Sequence, residues 1–466
     1  MRRFETAGTV ALLPYALHLF FPSIGNEWVF AFLLVVGSLA IACHAWLEGC
    51  RWQMAPAYFL AASLPLYEAA HLLSEFPACP FAGVAVLLLD LTAIALCIVM
   101  PVFRLPAPTG PYNIGTETRH LIDETRSDPF SDRPGGRREL VIQVWYPAGV
   151  APAGRYAPYR ERRITTLRSL HFALVRSHSM LHAKFAHDPA RFPLLLYTPS
   201  WSGIRTESTG LVEELVSHGY VVVGIDHPYS SNAVAFPDGT VARRKFVGDE
   251  DYSSPEAVDA FVNTANEQIE IRAKDARFVL DTLVQLDAND PKGLLTGRLD
   301  LARIGVFGSS LGGGTSAEVC SVDRRFKAGA DLGGMISTKT AERSLFAPFM
   351  FIFEGMYEEP PFVAGGDLSS FSPAKRREIE FSLRQFASMK NLLSNHGGCW
   401  MTIKGIKHAH FFDSPFFTPL RRRGVDPARV LDAIRRHTVA FFDTNLKEQK
   451  VGQVNRLQVS SCREEY

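Results

Sequence analysis

The chain of 466 residues is long enough for more than one domain, and its 49 Lys and Arg nearly balance 48 Asp and Glu. A net charge of +1 excludes the basic footprint of a nucleic-acid-binding protein. The 7 cysteines form no C-x-x-C pair, which excludes a zinc ribbon or a disulfide framework and fits a reducing compartment.

Charge is unevenly spread along the chain. Residues 1–104 carry ten charged side chains and no lysine, whereas the remainder has an ordinary soluble share. Apolar stretches fall there at about 7–22, 28–47, 53–73 and 80–103, each near the ~20 residues a helix needs to cross a bilayer. The first contains Pro14 and follows Arg2-Arg3, a pattern shared with signal peptides. Four stretches in series favour a bundle of about four transmembrane helices over residues 1–104. Arg2, Arg3, Arg51 and Arg104 then share one side, while the loops 23–27 and 74–79 lack Lys and Arg. The positive-inside rule puts both termini and everything after residue 104 in the cytoplasm, on a multi-pass inner-membrane anchor. Glu68, His71 and Asp90 fall at membrane depth, where ionisable groups serve function or pair between helices. Glu68 and His71, three apart, share a helix face.

RLPAPTGPYNIGT (104–116) is a Pro/Gly hinge that opens a soluble domain over 105–450, with a tail at 451–466. ELVIQVWYP (139–147) alternates as a strand, and the polar run before it reads as a hairpin loop. FPLLLYTP (192–199) and GYVVVGID (219–226) are continuous apolar runs, the mark of strands buried on both faces of a mainly parallel sheet. TGLVEELVSHG between them is an amphipathic helix closed by Gly219, and 266–286 predicts a second. RIGVFGSS (303–310), FKAGADLGG (326–334), APFMFIFEG (347–355) and CWMTIKGIKHAHF (399–411) supply further strands. A last helix follows Asp426 as N-cap and Pro427 at its first position. Alternating strands and helices predict an α/β domain with its active residues beyond the carboxyl ends of the strands.

Gly308-Ser309-Ser310-Leu311-Gly312 fits G-x-S-x-G, the nucleophile elbow, and stands where a buried strand gives way to a small-residue helix. Flanking glycines remove Cβ atoms that would clash in so tight a turn. A serine hydroxyl is a weak nucleophile until a base takes its proton and an acid orients that base. Such hydrolases order the three along the chain as Ser, acid, His. His408 and His410 follow the last strand and are candidate bases, while His437 lies inside the last helix and reads as structural. The HAH pair could also ligate a metal, but no partner cluster accompanies it. Asp331 and Glu354, at the ends of successive strands, are both candidate acids.

From PTGPYNIGT onward the soluble part resembles the secreted platelet-activating factor acetylhydrolase family and its bacterial relatives. The resemblance rests on TGPY-x-x-G, the WYP strand end, NEQ-x-x-x-RA-x-D (266–275), G-x-S-x-G-G and G-x-x-H-x-x-F (405–411). It implies an α/β-hydrolase fold, with Ser310 as nucleophile, Asp331 as acid and His408 as base. It also implies backbone N–H groups of Trp201 and Leu311 as the oxyanion hole. Where that family carries His-Gly after the strand, this chain has Pro199-Ser200, and proline has no N–H to donate. The membrane segment is no part of the secreted family's pattern.

The expected function is a membrane-anchored serine carboxylic-ester hydrolase acting on lipid or lipid-like esters with short or truncated acyl chains, through an acyl-enzyme. No metal or other cofactor is expected, and the partners are the ester substrate and the membrane. An acyltransferase with a membrane alcohol as acceptor, or a transport or sensing protein with a non-catalytic hydrolase domain, are the alternatives.

Overall fold

The computed structural model describes residues 3–21, 25–74, 80–131, 135–149, 154–246, 253–355, 369, 371–421, 424–447 and 462–464. Residues 23 and 24 of loop 23–27, most of loop 74–79 and of the tail expected at 451–466, and part of the hairpin loop lie outside these residues. The chain divides into two compact units: residues 1–103 with Leu167–His171 and Phe416–Arg421, and the rest.

The first unit contains helices α1 (Arg3–Phe20), α2 (Glu27–Cys43), α3 (Ala55–Ser74) and α4 (Pro80–Val99). Among the described residues two segments, Glu27–Gly49 and Phe81–Val99, are long and apolar enough to cross a membrane, in place of the four expected spans. The correction has a residue-level cause: α1 carries Arg3, Glu5 and an internal Pro14, and α3 carries Pro65, Glu68 and His71. Leu12, Tyr15, Leu34, Ile41 and Leu60 form the unit's core, while Trp28, Phe32, Leu39, Phe81 and Leu88 lie on its exterior. Glu68 accepts a 2.6 Å hydrogen bond from Tyr15 Oη, and Glu5 pairs with Arg51 at 2.9 Å. The first of these ties α1 to α3. His71 stacks on Tyr67, and Asp90 is fully buried.

The second unit is built on one large sheet. Its strands in chain order are β1 (Asn113–Ser127), β2 (Arg137–Ala148), β3 (Tyr156–Pro158), β4 (Arg176–Leu181), β5 (Phe192–Thr198) and β6 (Val221–Asp226). After a small hairpin of β7 (Ala233–Ala235) and β8 (Val241–Arg243) come β9 (Leu299–Ser309), β10 (Phe326–Leu332), β11 (Phe349–Glu354), β12 (Gly398–Ile403) and β13 (Cys462–Glu464). The spatial order is β13-β12-β11-β10-β9-β5-β6-β2-β1-β4-β3. Strands from β6 through β13 along that order run parallel, and β1 and β2 form an antiparallel hairpin joined to β6. The helices are α5 (Thr209–Ser217), α6 (Pro255–Ala288), α7 (Leu311–Val322), α8 (Thr338–Ala341), α9 (Pro373–His396) and α10 (Pro427–Leu446).

Every residue of β5 and β6 is buried because helices cover both faces of the sheet. Leu194, Leu196 and Val306 pack with Ala276, Leu280 and Leu283 of α6. Leu195, Tyr197 and Phe307 pack on the other face with Leu211 of α5 and Ile434 and Phe442 of α10. Each fully buried leucine of this kind contributes about 1.5–3 kcal/mol relative to exposure. α10 starts as expected, with Asp426 accepting from Ala428 N–H at 3.0 Å. The α9 helix is not among the expected elements, although Ile379, Phe386, Met389 and Leu393 recur at helical spacing on its buried side and Ser372 caps its start. The strand expected at 399–411 stops at Ile403, and His408–Phe411 form a short 3₁₀ turn instead.

Candidate active site

The site forms where β9, β10, β11 and β5 end. β9 stops at Ser309 and α7 begins at Leu311, so Ser310 alone makes the turn, with φ 54° and ψ −125°. A side-chain-bearing residue held there stores about 1–3 kcal/mol of strain, which the surroundings must hold in place. They do so by close packing. A Cβ on Gly308 would lie 2.2 Å from the Gly312 carbonyl carbon, and one on Gly312 would lie 2.0 Å from the Thr198 carbonyl oxygen. Ser310 N–H donates to the Leu332 carbonyl at 2.9 Å, tying the elbow to the end of β10.

The turn after β10 links the other groups. Gly333 N–H donates to the Ile352 carbonyl at 2.8 Å, and Gly334 N–H donates to Asp331 Oδ1 at 2.7 Å. Asp331 is fully buried; burial raises its carboxyl well above the usual range, against the Gly334 N–H, and the nearby Glu354 charge adds to the rise. His408 pairs through Nδ1 with Glu354 Oε1 at 3.3 Å. The carboxylate that meets His408 in this structure is therefore Glu354, while Asp331 is engaged by the turn beneath it. Its second oxygen, Oδ2, is buried without a hydrogen-bond partner among the described residues, as is Glu354 Oε2. Ser310 Oγ and His408 are not hydrogen-bonded to each other in this structure.

The second histidine of the pair turns inward: His410 is buried, and its Nδ1 accepts from Lys407 N–H at 3.0 Å. His437 sits within α10, partly buried.

The N–H groups of Trp201 and Leu311 have no protein acceptor among the described residues. Leu311 N–H is an unsatisfied donor at the first turn of α7, where the helix dipole also favours developing negative charge. Trp201 stacks on Phe261 at 5.6 Å and, with Met335, packs against a small cluster of Ala265, Ile269 and Leu311. An apolar wall therefore stands beside the elbow.

Two parts of the site were not found from the sequence. Arg272 is fully buried and donates to the Pro199 carbonyl at 2.7 Å and the Ser200 carbonyl at 3.1 Å. Glu207 accepts from both Ser200 N–H and Ser200 Oγ, the latter at 2.8 Å; burial pushes its carboxyl up to about 7, against those donors. Just past the end of β6, His227 Nδ1 lies 2.9 Å from Asp275, which also pairs with Arg138 at 2.6 Å. Burial lowers His227 to about 4, against the hydrogen bond to Asp275. The NEQ-x-x-x-RA-x-D segment contains both Arg272 and Asp275 and was the available signal.

A serine on such an elbow, at the carboxyl edge of a mainly parallel sheet covered by helices, defines the α/β-hydrolase fold. The same fold appears in a solved structure described as a ferulic acid esterase from Streptomyces cinnamoneus, 28% identical, with a TM-score of 0.56 over 76% of this chain and 96% of that one. The sequence model of the family described as platelet-activating factor acetylhydrolase, isoform II, matches residues 99–463. The chain belongs to that family. It is 24% identical over 284 residues to a platelet-activating factor acetylhydrolase from Canis lupus familiaris, covering 56% of this chain and 58% of the relative. It is 25% identical over 255 residues to a probable 1-alkyl-2-acetylglycerophosphocholine esterase from Arthroderma benhamiae, covering 50% of this chain and 59% of that protein. The matches thus span less than two thirds of these relatives.

Proposed function

We propose that the chain is a serine carboxylic-ester hydrolase for lipid or lipid-like esters with short or truncated acyl chains. The observation that carries the reading is Ser310, held at φ 54° on the elbow between β9 and α7 with two unaccepted N–H groups nearby. Ser310 Oγ attacks the ester carbonyl while His408 takes its proton. Trp201 and Leu311 N–H groups receive the charge that develops on the carbonyl oxygen. His408 returns the proton to the leaving alcohol, and water repeats the sequence on the acyl-enzyme to release the acid.

We assign the acid to Asp331, the position that the family resemblance marks. A second reading gives that role to Glu354, favoured by its 3.3 Å contact with His408 Nδ1. The relatives' names support a 2-acetyl ester of an alkyl glycerophosphocholine as the substrate type, and the wall of Trp201, Phe261 and Met335 suits an apolar substituent.

Membrane attachment through α2 and α4 is part of the proposal. Arg2, Arg3, Arg51 and Arg104, set against loops 23–27 and 74–79 without Lys or Arg, make the side of the hydrolase unit cytoplasmic by the positive-inside rule. A reporter fused after residue 110 should then be cytoplasmic, and an external signal would reverse that orientation. Tethering raises the effective concentration of bilayer substrate, and lifting an acyl chain from the membrane costs about 0.8 kcal/mol per CH₂. A fluorophosphonate should label Ser310 in the intact protein. On a panel of phospholipid and p-nitrophenyl esters, kcat/KM should fall steeply beyond medium chains, unchanged by calcium or chelators. Equal turnover of long-chain esters would overturn the substrate class, and absent labelling would overturn the enzyme.

A further inference from the structure

The loop after β5 departs from the family pattern where it should matter most. A proline and a serine stand at 199 and 200, and proline removes a donor while serine removes the backbone freedom of glycine. The loop is nonetheless held at both of its first two peptide units. In the unit joining Pro199 to Ser200, the carbonyl accepts from Arg272 Nη1 at 2.7 Å and the N–H donates to Glu207 Oε1. In the unit joining Ser200 to Trp201, the carbonyl accepts from Arg272 at 3.1 Å and from Gly203 N–H at 2.9 Å. A trans peptide points its N–H opposite its carbonyl. Fixing the Ser200 carbonyl against Arg272 therefore aims Trp201 N–H away from α6.

Two further features belong to this arrangement. Arg272 is fully buried, and its remaining donors go to Ser230 Oγ at 2.7 and 3.1 Å, with no carboxylate hydrogen-bonded to it among the described residues. A buried guanidinium spent on carbonyls and a hydroxyl is costly unless it fixes something. Gly203 is also required by the carboxylate: a Cβ there would lie 2.0 Å from Glu207 Oε2 and 2.6 Å from Ser200 Oγ. Tyr197 Oη donates to Glu207 at 3.2 Å and steadies it from below.

We infer that Arg272 and Glu207 are positioning residues of the oxyanion hole, clamping residues 199–201 from opposite sides so that Trp201 N–H faces the reacting carbonyl. The Ser200–Glu207 pair does with side chains what a glycine does with backbone freedom. This inference rests on the serine-hydrolase reading above.

The test uses the full chain and four variants: Glu207→Leu, Glu207→Leu with Ser200→Gly, Arg272→Lys and Ser310→Ala. Each is checked for folding by its thermal melt, and active sites are counted by the p-nitrophenol burst. Loss of an oxyanion donor costs about 10²–10³ in kcat. Glu207→Leu should lower kcat by about 30- to 100-fold, with KM within about threefold, and weaken binding of a trifluoromethyl ketone in step with kcat. Adding Ser200→Gly should recover at least about tenfold of that loss. Arg272→Lys keeps the charge without the planar fork and should lose kcat similarly. If Glu207→Leu does not fold, Arg272→Lys and Gly203→Ala carry the same comparison. Folded clamp variants that keep kcat and ketone affinity within about threefold of the parent overturn the clamp, while an inactive Ser310→Ala leaves the hydrolase reading standing. An active Ser310→Ala overturns that reading itself.

Discussion

The elbow after β9 and the loop after β5 both border the candidate site, yet different forces hold them. The elbow is shaped by missing atoms: Gly308 and Gly312 let backbone pass backbone at distances no Cβ allows. The loop is shaped by added atoms: Arg272 and Glu207 reach in from α6 and from the approach to α5 to hold residues 199–201. A site can therefore keep its motif at one loop and change residues at the other, provided the second loop's peptide planes remain fixed.

The largest effect should come from the elbow. Ser310→Ala is expected to lower kcat by about 10⁶, since the nucleophile is the unit's reacting atom. Retention of more than a tenth of the parent activity would remove the elbow from catalysis and end the comparison. The acid comes next. Asp331→Asn should cost about 10⁴ in kcat by favouring the wrong imidazole tautomer, and Glu354→Gln should do little. The reverse result would give the acid role to Glu354, the carboxylate in contact with His408 Nδ1.

Two smaller effects separate the loops more finely. Gly312→Ala forces a methyl group to within 2.0 Å of the Thr198 carbonyl oxygen and should destabilise the fold by about 1–3 kcal/mol, read as a lower Tm. Ser200→Gly alone removes one hydrogen bond to Glu207 and should leave Tm nearly unchanged while lowering kcat about threefold. Equal melting losses would mean that both loops depend on backbone space alike.

The smallest effect concerns acid stability at the end of β6. His227 is ordinarily half-protonated near 6.5, and burial lowers it to about 4. Its folded value lies below its unfolded one, so the stability its neutral ring contributes is complete above about 6.5. That contribution is lost as pH falls through about 4. The Tm should fall over that window, and His227→Gln should flatten the slope there. An unchanged slope would mean that other groups set the acid limit of this region.

What could be read from residues alone was what neighbours in the chain decide. β5, β6 and β9 were legible as short apolar runs because a strand buried on both faces needs nothing else. The elbow was legible because its glycines, its serine and its strand-to-helix context lie in one continuous segment. The helices of the first unit were only half legible, since apolar composition alone did not show how Pro14, Pro65 and the ionisable residues divide four stretches into two candidate spans. Tertiary structure decided the pairings. His408 meets Glu354 because parallel register places the ends of β11 and β12 side by side, and no local spacing encodes that register. Arg272 reaches residues 199 and 200 because α6 packs across the sheet at that height. A polar side chain on a helix discloses its partner only when the helix has been docked, because the cost of burying it is met by whichever group packing brings within reach.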